Sequence, residues 1–418
     1  MNIFKSEYSK NIFTLFGGAS LAQAIPIAVS PILTRIYTPE EFGLLALFVA
    51  LTSIPSIISS GRYEQAILLP KDEESAINIF ALCLLLISLT SVISFVVILI
   101  FDDIIVDLLN KNEIKYWLYL LPLSIFLVGL FNLLTIYNVR LKKYLDISKA
   151  TIIKTIISAT IQLSFGFLKS GFLGLVSGVI FSQLFANFKL LRNIIKNKEL
   201  ISKIKLNQIK IKVRRYIDFP KYSLPATFMN TLSGSFINIL ISSLYSVSTL
   251  GIYSLVLRLV SIPTTIIGSS FSKVFYQEAV LELNSTGYTK IIFIKSLSKL
   301  ILIGTPLFLL LYCIAEDLFS FVFGEDWVLA GTYTKIVIPF FYIRFISSAL
   351  SSILSIYEKQ KIELAINFII LSSALLLIIF SLDFLHYLKL YNSIMFLNYL
   401  LFLIYYYKLS VSKYERKP

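Results

Sequence analysis

Three arginines stand out in the sequence because each lies inside an apolar run long enough to cross a membrane. They are Arg62, Arg258 and Arg344. A charged side chain at that depth is costly, and it generally faces a bundle interior or a watery cavity. The guanidinium group is always charged and binds phosphate oxygens through two parallel hydrogen bonds. The three residues therefore predict a cationic path suited to a pyrophosphate or an acidic sugar.

Other charged residues extend or oppose this interpretation. Glu64 is the one acid well inside an apolar run, two residues from Arg62. Side chains two positions apart on an α-helix do not face each other, so we expect Glu64 not to pair with Arg62. It is then a candidate for ion coupling, and the alternative is a counter-ion that holds helices together. Arg35 and Lys154 are further candidates for substrate contact, with interfacial anchoring and snorkelling as their alternatives.

Residue sets typical of enzymes, metal sites and phosphate-binding loops are absent from the sequence. The single histidine, His386, falls in a predicted outer loop. The two cysteines, Cys83 and Cys313, lie in apolar runs without metal-ligand spacing. We therefore expect no catalytic residue, no metal and no cofactor.

The composition is that of an integral membrane protein. Apolar residues make up 57% of the 418 positions and charged residues 15%, against about 45–50% and about 25% in soluble domains. Apolar runs of about 20 residues, which suffice to cross a bilayer as helix, recur along the whole chain. We predict an all-α protein with about twelve crossings. They lie near residues 11–34, 43–69, 76–101, 116–139, 150–168, 171–190, 222–246, 250–272, 296–315, 336–357, 362–382 and 388–407.

The basic residues are distributed unevenly between the two sides that alternating crossings define. Of 38 Lys and Arg residues, 29 fall on the side of the two termini and 6 on the opposite side. Cytoplasmic loops carry such an excess, so both termini are predicted to be cytoplasmic. The same rule accounts for the net charge of +14, and we expect no nucleic-acid partner.

One stretch of the sequence occurs twice. The run "TPEEFGLLALFVALTSIP" at 38–55 returns 208 residues later as "SVSTLGIYSLVLRLVSIP" at 246–263. Gly43 corresponds to Gly251, and a Ser-Ile-Pro triplet follows at the same distance in both copies. Six predicted crossings separate the copies, an even number. Both copies therefore enter the membrane from the same side, as parallel repeats do.

The repeat predicts two parallel six-helix lobes around a central cavity. The first covers 1–192, the second covers 222–418, and 193–221 joins them as a basic cytoplasmic linker. The apolar residues of this linker also fit an amphipathic helix lying on anionic lipid. Both interpretations place the segment on the cytoplasmic side.

Two stretches resemble a known family. The run "SPILTRIYTPEEFGLLALFVAL" at 30–51 resembles the start of the Wzx-type polysaccharide and O-antigen flippases, and 218–268 resembles their seventh and eighth helices. These flippases belong to the multidrug/oligosaccharidyl-lipid/polysaccharide exporter superfamily. The resemblance implies that undecaprenyl-pyrophosphate-linked oligosaccharide is moved across the bacterial inner membrane by alternating access. The product would serve O-antigen (lipopolysaccharide), capsule or exopolysaccharide synthesis.

The resemblance also implies site residues and partners. Cationic cavity residues carry over to Arg35, in the matching run, and to Arg62 and Arg258, in matching helices. Arg344 is predicted from its depth in the membrane alone. The implied partners are the lipid-linked oligosaccharide, membrane lipids, and a polysaccharide polymerase with its chain-length regulator.

Two other functions remain open. A drug or cation antiporter of the same superfamily would need acids in its cavity, whereas here three deep arginines oppose one deep acid. A polysaccharide polymerase or ligase generally has a long outer loop that holds catalytic arginines or a histidine. The predicted outer connections at 102–115 and 316–335 are short.

Overall fold

The computed structural model describes residues 7–109, 115–196, 198–357, 359–377 and 383–414. Within these residues the chain is 89% helical and contains no strand. The α-helices are α1 Glu7–Ile36, α2 Pro39–Ile58, α3 Glu73–Leu109, α4 Lys115–Leu118, α5 Leu121–Arg140, α6 Tyr144–Phe167, α7 Phe172–Ile195, α8 Lys198–Ile201, α9 Leu206–Arg215, α10 Leu224–Leu244, α11 Val247–Val260, α12 Ser269–Thr286, α13 Lys290–Phe323, α14 Val328–Leu350, α15 Ile353–Ile356, α16 Gln360–Leu376 and α17 Phe384–Val411.

The described residues include nine helices that are long and apolar enough to cross a membrane, or up to eleven when each bent pair counts as one span. Each of the twelve predicted crossings overlaps a helix in its described part. The prediction of an all-α membrane protein is confirmed. The predicted cytoplasmic termini, residues 1–6 and 415–418, and part of the predicted outer connection at 102–115 lie outside the described residues.

The chain forms two compact units, Met1–Gly251 and Ile252–Pro418. In the first unit α6 packs between α1 and α7, α5 contacts α3, and α2 packs along α10. In the second unit α14 packs against α13 and α17. The division into lobes at 193–221 stays a prediction.

Part of the predicted linker is a helix docked on the first unit. Ile209 and Lys212 of α9 are buried against the start of α3, where the Lys212 ammonium donates to the Ser75 hydroxyl at 2.7 Å. The Tyr63 hydroxyl donates to the carbonyl of Val213 at 3.1 Å. These contacts fix one face of α9 on the protein, and its basic residues Lys210 and the Arg214–Arg215 pair are exposed.

The two repeat copies begin their helices in the same way. The Thr38 hydroxyl accepts from the Glu41 amide at 3.3 Å, and the Glu41 carboxylate accepts from the Thr38 amide at 2.8 Å. In the second copy the Ser246 hydroxyl accepts from the Thr249 amide at 2.9 Å. Such caps satisfy amide groups that the first helical turn leaves unpaired. The cap therefore fixes the start of α2 and of α11 at equivalent positions of the repeat.

Candidate functional site

The second predicted crossing is a broken helix. α2 ends at Ile58, and a short 3-10 helix, Tyr63–Leu68, follows a turn. Gly61 and Arg62 in the turn both have left-handed backbones, with φ of 60° and 63°. A left-handed conformation ends an α-helix and is costly for a residue with a side chain. The prediction of one continuous helix over 43–69 is therefore wrong at this point.

The break brings Arg62 and Glu64 together. The Arg62 Nη1 atom lies 3.2 Å from the Glu64 Oε1 atom, and the Ser60 hydroxyl donates to the other carboxylate oxygen, Oε2. The expectation that residues two apart do not pair is wrong here, because it assumed an α-helical backbone that this segment does not have. The structure thus shows Glu64 as a counter-ion of Arg62.

The environment of this pair is only partly closed. The side chain of Glu64 is 6% exposed and that of Arg62 is 23% exposed. Within the described part of the chain, the buried Nε atom of Arg62 has no hydrogen-bond partner. Irregular backbone at membrane depth is tolerated where it is buried in protein or lines a cavity, and transporters build binding sites at such breaks. The guanidinium therefore holds one carboxylate, and its buried Nε donor is left unsatisfied within the described chain.

Arg140 fixes the chain that follows the break. It ends α5, and its Nη1 atom donates to the carbonyls of Ile67 and Pro70 at 2.9 and 2.7 Å. Its Nη2 atom donates to the carbonyl of Asp72 at 3.2 Å, and its Nε atom donates to the Glu73 carboxylate at 3.0 Å. No signal in the sequence points to this role, because Arg140 resembles any other basic residue at a predicted cytoplasmic helix end. Only the fold brings it to the carbonyls.

The remaining candidates of the first unit lie on other helices. Lys154 of α6 is half-buried, and its ammonium lies 4.9 Å from the ring centroid of Phe131 on α5. This is the geometry of a cation–π contact. Arg35 is exposed in the last turn of α1. The structure shows neither residue as part of the Arg62–Glu64 pair, and their substrate contacts stay predictions.

In the second unit Arg344 lies against aromatic rings. The guanidinium of this half-buried residue of α14 is 5.4 Å from the ring centroid of Phe341 and 5.9 Å from that of Phe340. It also interacts electrostatically with Tyr253 and Tyr391. Such rings stabilise a buried cation without neutralising it. Arg258 is half-buried on α11, and its role as a substrate contact stays a prediction.

The second repeat copy also ends in a break, and an apolar cavity adjoins it. α11 ends at Val260, a π-helical turn, Thr264–Gly268, follows, and the two parts of the span are bent by 43°. A cavity of about 350 Å³ lies between this break and α13. All of its lining side chains are apolar, among them Ile262 and Ile266 from the break and Leu310 from α13. Sequence reasoning missed this cavity, because apolar residues in a crossing carry no distinguishing signal.

His386 is not a loop residue, contrary to prediction. It lies exposed in the first turn of α17, where its ring Nδ1 atom contacts the Asp383 carboxylate that caps this helix. The hydrogen bond from His386 lowers the pKa of Asp383. Among the described residues, no group of three or more His, Cys, Asp and Glu side chains is arranged to hold a metal.

Residues 32–330 match the model of a family described as polysaccharide biosynthesis protein. The chain belongs to this family. At the sequence level no curated protein matches it.

Several solved transporter structures have the same fold as this chain. The lipid II flippase MurJ in an inward closed conformation superimposes with a TM-score of 0.72 at 15% identity, covering 95% of this chain and 90% of that one. An outward-facing multidrug resistance MATE transporter of the MOP superfamily gives 0.64 at 13% identity, covering 96% and 94%. A MATE transporter of Vibrio cholerae gives 0.59 at 11% identity, covering 96% and 95%. These matches show that the chain has the fold of a flippase and of transporters.

Proposed function

We propose that this protein is a flippase that moves undecaprenyl-pyrophosphate-linked oligosaccharide across the bacterial inner membrane by alternating access. The product serves O-antigen, capsule or exopolysaccharide synthesis, with both termini of the chain in the cytoplasm. Family membership supports the link to polysaccharide synthesis, and the fold supports transport without a chemical step. The broken second crossing with its Arg62–Glu64 pair carries the proposal, because a cation on irregular backbone within the predicted crossing 43–69 supports an anion-binding role.

Arg62 binds the pyrophosphate in this proposal. Its guanidinium already holds one carboxylate oxygen of Glu64, and its Nε donor has no protein partner in the described chain. A phosphate accepts two parallel hydrogen bonds from such a fork. The arriving phosphate therefore competes with Glu64 for the guanidinium.

Glu64 couples this exchange to an ion. A buried carboxylate that loses its cation is unstable in the charged form, so displacement from Arg62 favours uptake of a proton or another cation. The hydrogen bond from the Ser60 hydroxyl keeps the side chain in place during the exchange. Glu64 then acts as the counter-ion of the empty site and as the coupling group of the loaded one.

Other residues of the protein are proposed to contact the remaining parts of the substrate. Arg258, Arg344, Arg35 and Lys154 are proposed as further contacts for phosphate or acidic sugars. The apolar cavity at the second break is proposed to take part of the prenyl chain, since its lining is entirely apolar. Membrane lipids surround the protein, and a polysaccharide polymerase with its chain-length regulator receives the product on the outer side.

The experiment that tests this function is complementation of a strain that lacks its own flippase. We expect Arg62→Ala and Arg258→Ala each to abolish surface polysaccharide, with lipid-linked precursor accumulating inside and with normal amounts of protein in the membrane. Lys210→Ala, which removes an exposed basic residue of α9, is the matched control and retains surface polysaccharide. Full complementation by both test variants would refute the cationic site.

A multidrug antiporter is the second candidate, because MATE transporters share the fold. Such a protein binds an organic cation with an unpaired acid. The described chain has Glu64 bound to Arg62 and Ser60 instead. Drug efflux by the wild-type chain that is lost in Glu64→Gln and kept in Arg62→Ala would favour the antiporter over the flippase.

A further inference from the structure

The two repeat copies touch each other through their shared glycine. A Cβ atom built on Gly43 would lie 1.8 Å from the carbonyl oxygen of Val247, and one built on Gly251 would lie 1.7 Å from the carbonyl oxygen of Pro39. Val247 and Pro39 are themselves equivalent under the 208-residue offset. The contact is therefore reciprocal, since each glycine meets the carbonyl of the residue four positions before the other glycine.

A reciprocal contact of this kind is the mark of a two-fold interface, in which the same surface patch is used by both partners. It lies within Met1–Gly251 and is formed by the first turns of α2 and α11. Helices in membranes approach this closely where small residues expose the backbone. Both Gly43 and Gly251 are buried. No side chain larger than hydrogen fits at either position while the helices are in contact.

The glycine contact and the Arg62–Glu64 pair lie at opposite ends of α2. Gly43 lies at the start of the helix, and the Arg62–Glu64 pair lies beyond its other end, which is about 22 Å from Gly43 at 1.5 Å per residue. The charge distribution predicts that the start of α2 is at the outer face and the pair is nearer the cytoplasm. The contact therefore closes the end of the repeat opposite to the charged site.

We propose that the Gly43–Gly251 contact is the outer gate of the transporter. In the closed gate the two helix starts meet backbone to backbone, and in the open gate they separate so that the head group leaves. Glycine suits both states, because a backbone contact is tight but has no interlocking side chains that must repack on opening. The proposal rests on the proposed transport function, and it adds which residues open and close.

The gate is tested with a reporter cysteine below it. Ala50 is buried, shares a helix face with Gly43 and lies seven residues further on, about 10 Å below the contact. Ala50→Cys is made in a chain whose two cysteines are replaced, Cys83→Ala and Cys313→Ser. The reagent is a maleimide that does not cross membranes, applied from outside to spheroplasts.

Adding a methyl group to either glycine should hold the gate open. We expect Gly43→Ala and Gly251→Ala each to raise the labelling rate of the Ala50→Cys reporter roughly tenfold, because overpacking typically shifts an equilibrium by roughly fivefold to a hundredfold. Gly234→Ala is the matched control, since a Cβ there meets nothing within 4 Å, and it should leave the rate unchanged. Equal rates for all three variants would overturn the gate.

A second measurement keeps both glycines, so it tests the gate even if the alanine variants do not fold. It compares the labelling of two reporter cysteines. Leu168 ends the fifth predicted crossing at the outer side and is 74% exposed, so Leu168→Cys reports immediate access. We expect Ala50→Cys to be labelled more slowly than Leu168→Cys but to completion, because the gate opens intermittently. A reporter that stays unlabelled from outside after Leu168→Cys has reacted fully would also overturn the gate.

The labelling rates require no substrate, so the two proposals fail separately. If Arg62→Ala retains surface polysaccharide while the alanine variants still raise labelling, the substrate assignment fails and the gate stands. If Arg62→Ala abolishes surface polysaccharide while labelling is unaffected by Gly43→Ala and Gly251→Ala, the gate fails and the substrate assignment stands.

Discussion

The two copies of the repeat begin alike and end differently. Both start at a side-chain cap, at Thr38 and at Ser246, and both place a glycine where the backbones meet. The first copy breaks after its Ser-Ile-Pro triplet, in a turn that holds an ion pair, and the second breaks at its triplet, after Val260, beside an apolar cavity. The repeat therefore supplies the common helix starts, and residues near each break, such as Arg62 and Ile262, set the chemistry of that break.

The contrast between the breaks has a physical basis. At the first break the Glu64 carboxylate binds both Ser60 and Arg62, next to two residues with left-handed backbones. At the second break, apolar side chains such as Ile262 line a cavity, and none of the side chains that line it carries a charge. The first break therefore suits the pyrophosphate group of the proposed substrate, and the second suits its prenyl chain.

Breaking the polar pair should have the largest effect on stability. Glu64→Ala leaves the Arg62 charge without its carboxylate, and removal of one partner of a buried pair typically costs about 3–5 kcal/mol. We expect the double variant Arg62→Met/Glu64→Leu to regain most of this stability, since neither charge remains. It should still be inactive in surface polysaccharide synthesis. Thermal unfolding in detergent checks the stability of the wild type, Glu64→Ala and the double variant. Complementation checks the activity of the same three proteins.

The support of the first break should have the next largest effect. Arg140→Ala removes hydrogen bonds to three carbonyls and one carboxylate, and a hydrogen bond to a charged group contributes roughly 1.5–3 kcal/mol. We expect faster hydrogen exchange across residues 63–73. Arg214→Ala, an exposed basic residue of α9, is the control. Unchanged exchange in Arg140→Ala would show that the break is held by other contacts.

Filling the apolar cavity tests the second break. Ile266→Trp adds bulk to the lining and should lower transport of a long-chain prenyl substrate several-fold, since overpacking costs about 1–3 kcal/mol. A substrate analogue with a short prenyl chain should be less affected. Leu302→Trp on α13, where the side chain is 75% exposed, is the control. An equal loss for both chain lengths argues against a prenyl site.

The caps should have the smallest effect. Loss of an N-cap costs roughly 0.5–2 kcal/mol. Thr38→Ala removes one half of a capping box, because Glu41 bonds back to the Thr38 amide, whereas Ser246→Ala removes a single cap bond to an amide. We expect both variants to lower the unfolding temperature by a few degrees. Thr38→Asp, another good cap, should restore the value of the first.

Prediction succeeded where the signal is carried by many residues. Apolar runs predicted each crossing, and the offset of 208 aligned the caps and the glycines of the repeat. Prediction failed where one turn decides. The prediction that Arg62 and Glu64 do not pair was wrong because it assumed helical spacing through Gly61. A glycine in an apolar run does not by itself indicate a left-handed turn.

Sequence by itself determined that the chain is an all-helical membrane protein, that it repeats itself and that it carries rare charges in its crossings. These properties follow from hydropathy and charge, which are sums over local residues. Tertiary structure alone decided that Arg62 meets Glu64, that Arg140 binds the carbonyls after the break, and that Gly43 meets Val247. Such contacts depend on where helices bend and how they pack against each other. No local property of the sequence specifies these bends or this packing.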